Sequence, residues 1–432
     1  MFTRYLTLLT LCLGLAVTSC TTEGTETPPP TPPTPDTSQK PLDKGRRTVL
    51  VYVNAQNSLG YQRFQDLDSL EMAKGADYID DNDRYLVYLD DDEHPRILRF
   101  QKGQKGGEIV KRFNEERCSS DPETLREVLN WTRLYYPAEE YGLVLWSHAD
   151  GWLPSPNKDY RTSRSFGIDV GDDGNMATDY DANGNIGAGM DIDDMADAIS
   201  RTGLKLKYIF FDACLMQCIE TDYALRDVAD YVIGSPLPTP AYGSHYTNEI
   251  RRGFFSDDVT DIAKTYYNDI MSDTYADMYS DYGCATSVVQ TDQLDSLALV
   301  TRELLPQYIE GQDQADMTDV MQYLTYSSRY FYRPEFFDAG SAMRHVLSDE
   351  DYTRWRTYLD RAVIYKQVST RYWIGPGNYT YGYRDNDYAG LSMFVPQWKY
   401  SNNADYCLYG DLNAAFRETA WYAAAGWSAT GW

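Results

Sequence analysis

Positive charge and histidine are what this chain has least of. Against 65 aspartates and glutamates stand 39 lysines and arginines, a formal net charge of -26 over 432 residues. That deficit argues against nucleic acid as a partner, because the phosphate backbone would be repelled. Histidine occurs four times, at His94, His148, His245 and His345, so imidazole chemistry has few places to be. Long apolar runs are also missing. The apolar stretch from Leu6 to Val17 is too short to span a bilayer comfortably. No internal repeat is visible, which leaves an ordinary globular domain or two. What the chain has in excess is tyrosine, 38 of them, suited to a core, a carbohydrate surface or both.

The N-terminus reads as a targeting segment. Arg4 precedes the apolar stretch, and Val17-Thr18-Ser19-Cys20 resembles a bacterial lipobox, in which the cysteine is acylated and becomes the new N-terminus. Residues 1–19 are then a lipoprotein signal peptide. Residues 20–45 form a tether rich in proline and threonine, too poor in apolar residues to fold. The expected location is the outer membrane, held by lipid rather than by a spanning helix. Of seven cysteines, Cys12 leaves with the signal and Cys20 carries the lipid. Five remain, so at least one thiol is unpaired in an oxidising compartment.

From Arg46 the pattern is α/β. Apolar runs at Thr48–Val53, Tyr85–Leu89, Gly142–Trp146, Leu206–Phe211 and Tyr231–Gly234 predict strands buried on both faces. Helical periodicities lie between them. One starts at Asp121-Pro122, another uses Ile192, Met195 and Ile199, and a third is expected to open at Cys214. This implies a mostly parallel sheet flanked by helices over 46–311, with a C-terminal α+β subdomain over 312–432. The latter holds a helix from Ser348 to Val363, a stretch rich in tyrosine and glycine from Tyr372 to Tyr388, and a strand at Ala389–Pro396.

Ligands of parallel sheets bind at the carboxyl ends of the strands. His148 and Cys214 are both expected there. Singly, each has a plain structural explanation, a core histidine and a small buried hydrophobe. Together they could be a nucleophile and its proton partner. The local sequences decide which. Leu145-Trp146-Ser147-His148-Ala149-Asp150-Gly151-Trp152 resembles the histidine motif of the clostripain family of cysteine peptidases, and Phe211-Asp212-Ala213-Cys214-Leu215-Met216, with Glu220 after it, resembles that family's cysteine motif. The resemblance runs over 46–310 and reaches Gly390-Leu391-Ser392. It implies a caspase-like fold, shared with gingipains and legumains, and a dyad of Cys214 as nucleophile and His148 as the group that protonates the leaving amine. It implies an oxyanion hole from the backbone N–H groups of Ala149 and Cys214. It also implies cleavage of protein or peptide substrates after arginine or lysine, with Asp212 as the specificity residue. A carboxylate at the floor of a pocket suits a guanidinium or ammonium.

Ala149 departs from the family, which usually has glycine there. Alanine keeps the N–H but disfavours positive φ, so a catalytically inactive lipoprotein that binds a glycan or protein is the alternative reading. Relatives of clostripain are often cut between the two motifs, and Lys158, Arg161 and Arg164 are candidate self-cleavage points. No cofactor is required for the chemistry. Asp179, Asp181, Asn183 and Asn185 resemble the start of a calcium-binding loop. The loop ends in Met190 rather than glutamate, with Asp169, Asp172 and Asp173 nearby to complete the oxygens of a structural or activating Ca2+.

Overall fold

In a computed structural model the chain is described over residues 40–432, apart from 64–68, 154–164, 181, 185, 241–242, 273–282, 324–335, 376–377, 382–387 and 403–410. The five expected strands form the middle of a nine-stranded sheet. They are β1 (Gly45–Asn54), β2 (Arg84–Asp90), β5 (Ala138–Trp146), β8 (Leu206–Asp212) and β9 (Ala229–Gly234). All their mutual pairings are parallel, in the order β9-β8-β5-β1-β2.

Two antiparallel strands finish each side. β3 (Arg96–Phe100) and β4 (Glu108–Arg112) extend the sheet from β2. β10 (Ala285–Gln290) and β12 (Val363–Val368) extend it from β9. The sequence pattern predicts none of these four. A short ribbon of β6 (Phe166–Asp169) and β7 (Ala188–Met190) stands apart from the main sheet.

The expected helices are present where their caps predict them. Asp121 accepts a hydrogen bond from the N–H of Glu123 and opens Pro122–Tyr135, and Ser348 accepts one from Asp351 and opens Asp349–Ala362. The helix after Cys214 differs. It runs from Ile219 to Ala224, and Cys214 lies in a turn before it. The expected strand at Ala389–Pro396 contracts to Ser392–Met393, paired with β11 (Phe337–Asp338).

Apolar clusters cover both faces of the sheet. One packs Tyr52, Leu86, Leu143 and Ile209 against Leu125, Met195 and Ile199; another packs Val51, Val144 and Phe210 against Tyr246, Phe254 and Tyr266. A third joins Leu215, Ile219 and Leu297 to Trp355, Leu391, Phe394 and Trp421 of the C-terminal part. Among the tyrosines, Tyr52, Tyr85, Tyr88, Tyr208, Tyr246, Tyr266, Tyr323 and Tyr372 are fully buried, which assigns this part of the tyrosine excess to the core. Among the described residues no helix is long and apolar enough to cross a membrane.

Candidate active site

The chain leaves β1, adds β2 on one side, then returns to add β5 on the other. The tips of β1 and β5 therefore flank a topological switch point, where the connections part and leave a crevice. Ser58 lies just past the β1 tip and His148 just past the β5 tip. Their side chains meet, with Ser58 Oγ 3.0 Å from His148 Nε2. Ser147 fixes the approach, because its Oγ donates to Asn54 O (3.0 Å) and accepts from Asn57 Nδ2 (3.2 Å).

Trp146 and Asp212 are register partners at the ends of β5 and β8. His148 and Cys214 thus each sit two residues beyond the same level, on neighbouring strands. Cys214 is half-buried, and its Sγ accepts from Thr239 N–H (3.2 Å) and lies 3.4 Å from Thr239 Oγ1. A thiolate in this place would be held by donors from the loop after β9, not by a helix terminus. The helix expected to open at Cys214 begins only at Ile219, after the turn 213–218, so its N-terminus does not lie at the thiol. Cys218 and Cys284 are buried, and burial pushes both thiols well above the usual range.

Leu215, next to the thiol, has φ of 63° although its side chain is branched and fully buried. Asp179 has φ of 60°. Such conformations cost on the order of 1 kcal/mol or more and persist where the surroundings over-determine them. Leu215 N–H is held by Leu237 O (3.1 Å). Asp179 accepts from both the N–H and the hydroxyl of Ser58, and its Oδ2 lies 3.6 Å from His148 Nε2. Asp179 was read from sequence as a calcium ligand. Its carboxylate faces Ser58 and the imidazole. Asn183 is exposed, while Asp181 and Asn185 lie outside the described residues.

Ala149 is buried and bridges to Phe166. Among the described residues its backbone is not one of those in the left-handed region, whereas Gly151, two residues on, is at φ of 68°. The methyl group of Ala149 therefore adds no backbone strain.

Asp212 is buried at the end of β8. Its Oδ2 accepts from Ser244 N–H (3.0 Å) and Tyr246 OH (3.0 Å). Gly243, at φ of 54°, passes so close that a Cβ there would come within 2.7 Å of both carboxylate oxygens. Thr239, Gly243, Ser244 and Tyr246 all belong to the segment after β9. No motif marked that segment, and only its glycine and prolines signalled a loop. Lys158, Arg161, Arg164 and Cys20 lie outside the described residues.

A family model described as the clostripain family matches residues 51–414. The chain belongs to the clostripain family. It is a cysteine-type peptidase. Solved structures agree with the membership. A secreted C11 cysteine protease from Bacteroides thetaiotaomicron, in complex with an irreversible peptide inhibitor, is 27% identical with a TM-score of 0.69, covering 89% of this chain and 99% of that one. An inactive zymogen C11 protease from Parabacteroides distasonis is 26% identical with a TM-score of 0.69, covering 89% and 99%. No curated protein matches. The sheet of this clostripain-family chain, mostly parallel at its centre with helices on both faces, is the architecture the sequence predicted.

Proposed function

We propose that this peptidase uses Cys214 and His148 as its dyad and cleaves after arginine or lysine. The observation that carries the reading is the level pairing of the β5 and β8 tips, two residues before each group. The Cys214 thiolate adds to the scissile carbonyl, and the N–H groups of Ala149 and Cys214 receive the oxyanion. His148 gives a proton to the departing amine. Water then releases the acyl group from sulfur, with His148 taking the proton back. Asp212 recognises the basic side chain, its carboxylate held in one orientation by Ser244 and Tyr246.

The chain is further proposed to be made as a precursor that cuts itself after Lys158, Arg161 or Arg164. Two features support this. A related protease was solved as an inactive zymogen. The two flanks of 154–164 are also tied together, with Ser165 Oγ donating to Leu153 O (3.2 Å) and Asp150 N–H to Ser165 O (3.3 Å), so a cut between them leaves both ends anchored. Lipid at Cys20 would hold the protein at the outer membrane, and the similar C11 protease from Bacteroides thetaiotaomicron is a secreted one, which accords with export. The inactive binding lipoprotein rested on the tyrosine excess and on Ala149; eight of the tyrosines are fully buried, and the Ala149 backbone lies outside the left-handed region.

The test is hydrolysis of short peptide reporters ending in arginine, lysine, aspartate or alanine, in reductant, beside Cys214→Ala. Turnover confined to arginine and lysine, and abolished in the variant, is expected. Turnover that survives the variant, or that prefers aspartate or alanine, would overturn the proposal.

A further inference from the structure

We propose that Thr239 is a further catalytic residue, whose backbone N–H and hydroxyl together seat the sulfur of Cys214 as a thiolate. The inference rests on Cys214 being the nucleophile. All three polar atoms of Thr239 lie against that sulfur. The N–H donates to Sγ at 3.2 Å, Oγ1 lies at 3.4 Å and the carbonyl oxygen at 3.8 Å. They serve different protonation states. A neutral thiol can donate to the carbonyl oxygen. A thiolate has no proton to give, and accepts from the N–H and the hydroxyl in charge-assisted bonds that favour the ionised form. When Cys214 ionises, the S–H bond breaks and its electron pair stays on sulfur. Its proton passes to His148, which later hands it to the departing amine.

The sequence prepares this seat. Ser235-Pro236-Leu237-Pro238-Thr239-Pro240 follows β9 with a proline at every second position. Each proline fixes its own φ and biases the residue before it to extended backbone, so Ser235, Leu237 and Thr239 are all constrained. The same three residues face the cysteine turn. Ser235 O accepts from Gln217 N–H (3.2 Å) and Leu237 O from Leu215 N–H (3.1 Å). Thr239 is the next contact in that series, with sulfur in place of a backbone group. The prolines between them have no N–H to leave unsatisfied. The segment is thus a stiff splint along the cysteine turn, and it delivers Thr239 to the sulfur.

The charges nearby make neutral donors useful. Asp212, buried two residues before Cys214, repels a negative sulfur. Tyr266 is fully buried on the helix Thr260–Ile270 and stays neutral: burial, then the charges of Asp212, Cys284 and Cys214, push its hydroxyl well above the usual range. His148, past the tip of β5, is the group that becomes a cation. The two donors of Thr239 offset the repulsion from Asp212 without adding a charge that a basic substrate would meet.

The experiment follows alkylation of Cys214 by iodoacetamide against pH in the whole protein, read from the mass of the peptide that holds it. Beside it runs hydrolysis of the reporter peptide that wild type cuts fastest. Thr239→Val removes the hydroxyl and keeps the shape, Thr239→Ala removes both, and Thr239→Ser keeps the hydroxyl. In the valine and alanine variants the alkylation midpoint should rise by about one pH unit, the scale of one hydrogen bond to a charged group. Their kcat/KM should fall about tenfold below the new midpoint and return toward wild type above it, because only the thiolate fraction has changed. Thr239→Ser should follow wild type in both measurements. Should Thr239→Val fail to fold, Thr239→Ala carries the test. An unchanged midpoint, a midpoint raised equally in Thr239→Ser, or a loss of activity equal at every pH would overturn the role of Thr239 while hydrolysis still requires Cys214. Hydrolysis that survives Cys214→Ala is a separate failure, which removes the nucleophile and Thr239 with it.

Discussion

Asp212 and Gly243 act as one unit, since the glycine leaves the carboxylate its room. Asp212→Asn removes the charge and keeps the shape. On arginine and lysine reporters kcat/KM should fall about a hundredfold or more, as when one partner of a buried ion pair is removed. Gly243→Ala should lower the same activity while the fold survives, because its Cβ would displace the carboxylate and the backbone is left-handed there. Equal activity of either variant with wild type would remove Asp212 from the specificity pocket. Ser58 and Asp179 make a different prediction. Both side chains contact the imidazole, and each also contacts the other. Ser58→Ala and Asp179→Asn should lower kcat about tenfold with KM nearly unchanged, consistent with lost hydrogen bonds to a charged group. A rise in KM alone would assign them to binding instead. Cys214 and His148 were legible because they sit in local motifs. Ser58, Thr239 and Tyr246 were not, because they reach the site through tertiary structure from segments with no pattern of their own.

At the scale of elements, the five central strands were readable because burial on both faces makes each a continuous apolar run. The four outer strands were not. Arg96-Ile97-Leu98-Arg99-Phe100 and Glu108–Arg112 are antiparallel and carry charge, as strands toward a sheet edge do. The helix expected at Cys214 failed for another reason. Apolar residues at Met216, Ile219 and Tyr223 gave the helical spacing, but Met216 is buried from a turn held by Leu215 in the left-handed region. The β5–β8 pair, which brings the two motifs level, depends on close packing. Gly142 faces Tyr208, and a Cβ on it would come within 2.4 Å of the Tyr208 ring and hydroxyl. Tyr208 cannot withdraw easily, since its hydroxyl donates to Phe254 O (3.0 Å). Gly142→Ala should destabilise the fold by about 1–3 kcal/mol, the range for overpacking, measured by urea unfolding. A change within error would show that the strands part at little cost.

For the molecule as a whole, the C-terminal part is built into the peptidase. Ser392 N–H donates to Gln217 O (3.0 Å), and Phe394 N–H donates to Glu220 Oε1 (2.8 Å). Burial raises the Glu220 carboxyl to about 7 from 4.5, and that of its neighbour Asp222 well up. Because the folded form prefers the protonated acid, the stability Glu220 contributes is complete below pH 4.5 and is lost as pH rises toward 7. A shift of that size corresponds to about 3 kcal/mol. Glu220→Gln keeps the acceptor for Phe394 and should flatten the fall in stability between pH 5 and 8. A slope unchanged from wild type would show that the fall arises elsewhere.

The anchored flanks at Leu153 and Ser165 have a further consequence. β1, β2 and β5 precede that junction, while β8 and β9 follow it, so the ladder between β5 and β8 runs from one side of the junction to the other. A chain opened there is two polypeptides sharing one sheet. They should co-elute on size exclusion while separating on a denaturing gel. The same division offers a way to split the protein by design, with neither half holding both His148 and Cys214 and activity returning only when the halves meet.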